Sequence, residues 1–446
     1  MLLLLALACP TPVLDDSAAV PEGTPTWNQD IAPLVEERCA GCHAPGEIGP
    51  FSLTDFASAA PMASAMSAAV DADRMPPWGA RATDECTPRY GWKNDLTFSE
   101  EEKALLRAWA EAGAPEGDPE TAAEIPPTVS LTLEGANQHL EPRVGFAASG
   151  NQDQYTCFVM DPELAQEAWI TGVQVVAGNR AVVHHALIFA DRSGSAAALA
   201  NADGYYNCPA NEGLGGDLIG AWAPGAVPNE TPEGVGITVA AGSMIVMQIH
   251  YHPLGEVADV DVTGVDIRWQ DTKPEHPAVL ALVGNANSEG DGLLPGPNDD
   301  AGVEFRIPAG ATGHTETMEF KIRDAQVKYQ VFMAGTHMHY VGTDMAIWVD
   351  HKKPEGDETE SECLVQTPAW DFDWQRGYDY DTPLETVPQV RTGDTIRMRC
   401  TYDNTLANPG VARALSDAGL AEPADVYMGE TTLDEMCLGV FGIVYE

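Results

Sequence analysis

Gln248-Ile249-His250-Tyr251-His252-Pro253 is the stretch on which the fold turns. Side chains on a strand repeat every two residues, so His250 and His252 share one face. The same spacing recurs in Gly335-Thr336-His337-Met338-His339, and Val182-Val183-His184-His185-Ala186-Leu187 sets two adjacent imidazoles in an apolar run. Around these clusters Val173–Val176, Val182–Phe189, Met244–His250, Val262–Trp269, Val327–Met333 and Met345–Val349 read as strands broken by Gly, Pro, Asn and Asp. Helical periodicity is scarce there, so residues 129–272 and 273–446 are expected to form two all-β sandwiches of the jelly-roll kind. A lone His is most often a buried side chain bonded to backbone. Three dense clusters on strands point instead to metal, and imidazole-rich sites without thiolate suit copper or zinc.

Upstream the pattern changes. Pro119–Pro127 is rich in Pro, Glu and Ala, and residues 119–128 read as a linker. Before it stands Cys39-Ala40-Gly41-Cys42-His43, the C-x-x-C-H haem attachment signature. Cys39 and Cys42 can form thioethers to haem, and His43 then reaches the iron as an axial ligand. Zinc sites and redox dithiols share the C-x-x-C spacing; the adjacent His favours haem. Met75, in Arg74-Met75-Pro76-Pro77-Trp78, is the candidate second axial ligand, with Met62 and Met66 as competitors. Trp27–Glu37 can form a helix leading into the motif. Ser99-Glu100-Glu101-Glu102 supplies an N-cap for a helix carrying Leu105, Leu106, Trp109 and Ala110. Residues 26–118 are therefore expected to be a small all-α domain that resembles a class I c-type cytochrome.

The first 25 residues read as an export leader and tether. Met1-Leu2-Leu3-Leu4-Leu5-Ala6-Leu7-Ala8-Cys9 resembles the apolar core and cleavage site of a signal, and Cys9 stands where a lipobox cysteine would be lipidated, giving a membrane anchor without a span. The chain carries 23 Lys+Arg against 68 Asp+Glu, a formal net charge of -45, which excludes nucleic acid as a partner. Its 446 residues suit about three domains of ~150 residues. No apolar run reaches the ~20 residues that a membrane span needs. In an exported chain the scattered cysteines are most often paired.

From about Tyr155 onward the chain resembles the copper type II, ascorbate-dependent monooxygenases, the group of dopamine β-hydroxylase and peptidylglycine α-hydroxylating monooxygenase. Tyr155-x-Cys157, His184-His185, Ala221-Trp222-Ala223-Pro224-Gly225, Gln248-Ile249-His250-Tyr251-His252-Pro253, His337-x-His339 and Asp434-Glu435-Met436-Cys437 carry the resemblance in that order. It implies one copper on His184, His185 and His250, and a second, catalytic copper on His337, His339 and Met436, with His252, Gln248 and Tyr155 around the first group. His252 could replace His250 as ligand. It also implies disulfides Cys157–Cys208 and Cys400–Cys437. Cys86 and Cys363 are left over, and pairing them would tie the first domain to the catalytic half. The implied activity is hydroxylation of a C–H bond of a small organic substrate with O₂, using ascorbate, a redox donor protein or another one-electron reductant, with the fused haem as relay. Gly335, Leu438 and Val440 depart from the peptidylglycine pattern, where Arg, Asn and Tyr bind a peptide, and they suggest a more apolar pocket. A non-catalytic surface copper-binding or electron-transfer protein is the alternative; a zinc-stabilised adhesin is disfavoured because Met is a poor zinc ligand. The location implied is exported: periplasmic, outer-membrane-anchored or extracellular.

Overall fold

The computed structural model describes residues 23–45, 47, 49–126, 132–150, 153–208, 215–223, 226–253, 259–323, 328–431 and 433–445. The leader, the tether up to residue 22 and Cys9 lie outside the described residues. The chain divides into two compact units, one of residues 1–76 and 98–128, the other of residues 77–97 and 129–446.

Among its described residues the first unit is helical. A π-helical turn, Trp27–Ile31, runs into Ala32–Arg38; Ala40–His43, Phe56–Ala59, Ala63–Asp71 and Glu100–Glu111 follow. Ser99 and Glu102 close a reciprocal capping box on the last helix, as the sequence of its first turn implies. Trp27, Ile31, Leu34, Val35, Val70, Leu106 and Trp109 form the core. Met66 is buried with them and Met62 packs against them.

The expected boundary of 26–118 does not hold as one unbroken stretch, because residues 77–97 belong to the second unit. Trp78 and Trp92 bury their indoles in its core. Trp92 stacks on Tyr380 at 4.8 Å and Trp78 meets Tyr378 edge-on at 5.1 Å. Cys86 is disulfide-bonded to Cys363, so the pair left over in sequence is joined. Two large aromatic surfaces and a covalent bond outweigh proximity in sequence.

The second unit is built of antiparallel sheets, with one parallel pair of strands among the described residues. A five-stranded sheet runs in the order Tyr205–Asn207, Gln154–Met160, Met244–Tyr251, Val183–Asp191, Asp217–Trp222. A four-stranded sheet runs Thr312–Lys321, Thr395–Asp403, Gly342–Asp350, Ser361–Thr367. The two expected sandwiches are not separate, since a ten-stranded sheet crosses their boundary: Val235–Val239 pairs in parallel with His276–Gly284, which pairs with Leu438–Tyr445 and through it reaches Lys328–His337. One apolar core holds Ile188, Met247 and Ile249 from the five-stranded sheet, Ile170, Val173 and Ile267 from the ten-stranded sheet, and Ile347 and Met398 from the four-stranded sheet. The disulfides Cys157–Cys208 and Cys400–Cys437 are present. No helix among the described residues is long and apolar enough to cross a membrane.

Candidate metal centres

Adjacent residues on a regular strand point to opposite faces, so His184 and His185 could not both serve one site. The ladder between Val183–Asp191 and Met244–Tyr251 removes the conflict. Its register slips between Val183 and His185, leaving a bulge at His184, and His185 pairs directly with His250. A bulge bends its strand and re-aims a side chain. His185 Nδ1 lies 3.1 Å from His184 Nδ1 and 3.3 Å from His250 Nδ1. One ligand nitrogen from each of the three rings lies within 4.8 Å of the others.

Carboxylates hold the outer nitrogens. His184 Nε2 is 3.1 Å from Asp373 Oδ1, and His250 Nε2 is 3.1 Å from Asp153 Oδ2, off hydrogen-bonding geometry. Asp153 Oδ1 is also 2.7 Å from His252 Nδ1. His252 thus stands behind Asp153 rather than among the three rings. Tyr155 stacks on His250 with centroids 4.4 Å apart, as its place opposite His250 in the ladder requires. Gln248 turns elsewhere: its amide donates to the carbonyl of Cys208. Burial pushes the His185 imidazole well below its usual range, helped by His250 and His184, and burial also lowers His250 against the pull of Asp153. Three imidazole nitrogens this close together fit a metal ion, and a carboxylate behind the ligand is the common way to fix the tautomer.

The second group uses the opposite ring atoms. His337 ends the strand Lys328–His337 and His339 follows it. His337 Nδ1 is 2.6 Å from Gln375 Oε1, and His339 Nδ1 is 3.0 Å from the carbonyl of Asp434. Those partners take the Nδ1 proton and leave each Nε2 as a lone-pair donor. Burial drives both rings down, His339 to about 3. The Met436 backbone N–H and that of His339 both donate to Glu435 Oε1. Two neutral imidazoles with a buried thioether nearby form a donor set that suits a soft cuprous ion. Both groups therefore fit copper by the chemistry of their donors.

Sequence reading missed Asp153 and the segment Trp370-Asp371-Phe372-Asp373-Trp374-Gln375, and gave Glu435 no role beyond its place in the Asp434-Glu435-Met436-Cys437 motif. The 370–375 segment touches His184, His185, His337 and His339. Phe372 stacks on His184 at 5.2 Å and stands edge-on to His185 at 6.4 Å and His339 at 5.9 Å. Trp370 Nε1 donates to the carbonyl of His339 and its ring lies 6.4 Å from His337. Alternating acidic and aromatic residues between two strands were the signal available for it.

In the first unit Cys39 and Cys42 are half-buried. Burial, with the nearby Cys42, pushes the Cys39 thiol up to about 12. His43 Nδ1 lies 2.9 Å from the carbonyl of Phe51, leaving Nε2 available. Met75 and Phe51 are 40% and 41% exposed, apolar surface that a flat hydrophobic group could cover.

Residues 143–257 match the copper type II ascorbate-dependent monooxygenase family, in its N-terminal domain. This match contains His184, His185 and His250; His337, His339 and Met436 lie beyond it. The chain is 25% identical over 308 residues to peptidyl-glycine alpha-amidating monooxygenase A of Xenopus laevis, covering 67% of this chain and 27% of that protein. It is 26% identical over 310 residues to the B form, covering 67% and 29%. The chain thus spans under a third of the length of the curated relatives it matches. These likenesses support the copper type II monooxygenase family. Among solved structures, recombinant peptide:N-glycanase F is similar over 69% of this chain and 94% of that chain, at 9% identity and a TM-score of 0.26, a likeness that carries no argument.

Proposed function

We propose that the second unit is a copper-dependent monooxygenase that hydroxylates a C–H bond of a small organic substrate with O₂. The observation that carries this reading is the bulge at His184, which turns two adjacent imidazoles and His250 onto one point. His184, His185 and His250 would hold one copper; His337, His339 and Met436 would hold the other. Bound there, copper would supply one-electron redox chemistry and O₂ activation, the thioether favouring the cuprous state.

The chain's own residues do the rest. Asp373, Gln375 and the Asp434 carbonyl fix ring orientation. Leu438 sits opposite His337 in the ladder, and Val440 opposite Gly335, so the strand beside the second group is apolar. A Cβ on Gly335 would lie 3.0 Å from the Arg376 carbonyl oxygen, so a side chain there would have to push that backbone aside. An apolar or amphipathic small molecule suits this wall better than a peptide carboxylate. Haem c on Cys39 and Cys42, with His43 and Met75 as axial ligands, would supply one-electron transfer from the first unit. Ascorbate or a donor protein would serve as ultimate reductant. The disulfides fit an exported chain in an oxidising compartment, periplasmic or extracellular.

The buried ring of Phe372, touching imidazoles of both groups, favours a second reading: a surface copper-binding electron carrier without a hydroxylation step. Reductant-driven O₂ uptake by copper-loaded protein, screened over small amphipathic compounds, separates the two. An oxygenase should lose uptake on Met436→Ile. A carrier should show no substrate-dependent uptake and only a shifted copper affinity.

A further inference from the structure

Both proposed ligands from outside regular strands owe their backbone positions to one carboxylate. His339 lies two residues past the end of Lys328–His337, and Met436 lies two residues before Leu438–Tyr445. Neither N–H therefore has a ladder partner. Both donate to the same atom, Glu435 Oε1, the His339 bond being very short and the Met436 bond 2.8 Å. Glu435 is fully buried. Its own backbone is fixed independently: its N–H donates to the Tyr427 carbonyl at 3.0 Å, and its carbonyl accepts from Gly429 at 3.1 Å. The neighbouring residues are held too, by the Tyr402 hydroxyl on the Met436 carbonyl at 3.0 Å and by the Cys400–Cys437 bond.

We infer that Glu435 is the positioning residue of the second metal group, its carboxylate setting the separation between the His339 and Met436 backbones so that imidazole and thioether meet one ion. This rests on the ligand assignment proposed above. A buried donor pair with no other acceptor cannot be left unsatisfied without moving the chain, so the two segments should part when the acceptor is removed.

The test uses the full chain, copper-loaded and reduced, with Cu(I) X-ray absorption to count sulfur scatterers and chelator competition to measure affinity. Wild type should show one copper with a sulfur ligand. Glu435→Ala should lose that sulfur and weaken one of the two coppers by about 10- to 100-fold, the range for removing a group that orients a ligand. Glu435→Gln keeps a carbonyl oxygen at the same reach and should retain the sulfur. Glu435→Asp, one methylene short, should lose it while disturbing the fold least. The Cu(II) resonance signal of the His184, His185 and His250 group, unchanged in each variant, shows that the unit is folded. Wild-type sulfur scattering and affinity in the Ala and Asp variants would overturn the clamp alone. Damage in Glu435→Gln equal to that in Glu435→Ala would also overturn it, since an acceptor would then not be the property that matters. Absence of sulfur in wild type would bring down the Met436 assignment and the clamp together.

Discussion

Asp373 Oδ1 lies 3.1 Å from His184 Nε2, while its carboxylate is also gripped by both terminal nitrogens of Arg413, at 2.7 and 2.9 Å. Burial alone would raise this acid, yet His184 and Arg413 hold it well below the usual carboxylate range. It is therefore a fixed anion behind one ligand. Asp373→Asn is expected to weaken the first copper by about 10-fold and leave the second within error. Stepwise copper titration measures this; equal affinities for variant and wild type would remove the role.

His351 is buried between Glu362, 3.2 Å from its Nε2, and Asp394, 3.1 Å from its Nδ1. Burial opposes the imidazolium, but the two carboxylates outweigh it and the His351 value is raised. A group raised on folding stabilises fully below its unfolded value of about 6.5, and that contribution is lost as pH rises through the folded value. The stability difference between wild type and His351→Asn should thus be largest in mild acid and shrink in base. Thermal unfolding of both proteins from about pH 5 to 9 reads it directly. A gap that stays constant or widens with pH would show that His351 is neutral in the folded protein.

The Cys86–Cys363 bond closes a sequence separation of 277 residues. Cys86→Ser with Cys363→Ser should cost roughly 2–5 kcal/mol of stability, seen as a lower denaturant midpoint. Copper content at the two groups should stay as in wild type, because neither cysteine touches an imidazole.

For the first unit, expression with a haem-attachment system should give a covalent haem absorption band, lost in Cys39→Ser with Cys42→Ser. Met75→Ala should keep the haem and alter its axial-ligand spectrum. A wild-type preparation with no covalent haem would end the cytochrome reading of Cys39, Cys42 and His43.

The strands that carry imidazoles were legible because they are apolar: Val183–Asp191 and Met244–Tyr251 stand within a residue or two of their sequence-based limits. Thr312–Lys321 and Thr395–Asp403 were not, because charged residues alternate with Met318 or with Ile396, Met398 and Tyr402, and only the alternation marks them as half-buried strands. The density of His marked these strands, but strand spacing paired His250 with His252, and it was the family resemblance that named His184, His185 and His250 together. The means of gathering was hidden, since a bulge at His184 is a property of the pairing and not of the residue. Asp153, Asp373 and Gln375, and the role of Glu435, were hidden for a related reason: single polar residues acquire their partners only through tertiary contact.

Because residues 77–97 sit in the second unit while those on both sides of them sit in the first, the chain passes between the units three times. A truncation beginning at Val129 would strip the second unit of Trp78, Trp92 and Cys86, leaving an unfilled hollow beside Tyr378 and Tyr380 and a lone thiol at Cys363. A single protease cut within 119–128 would give two fragments that run as one band on a gel without reductant and as two with it.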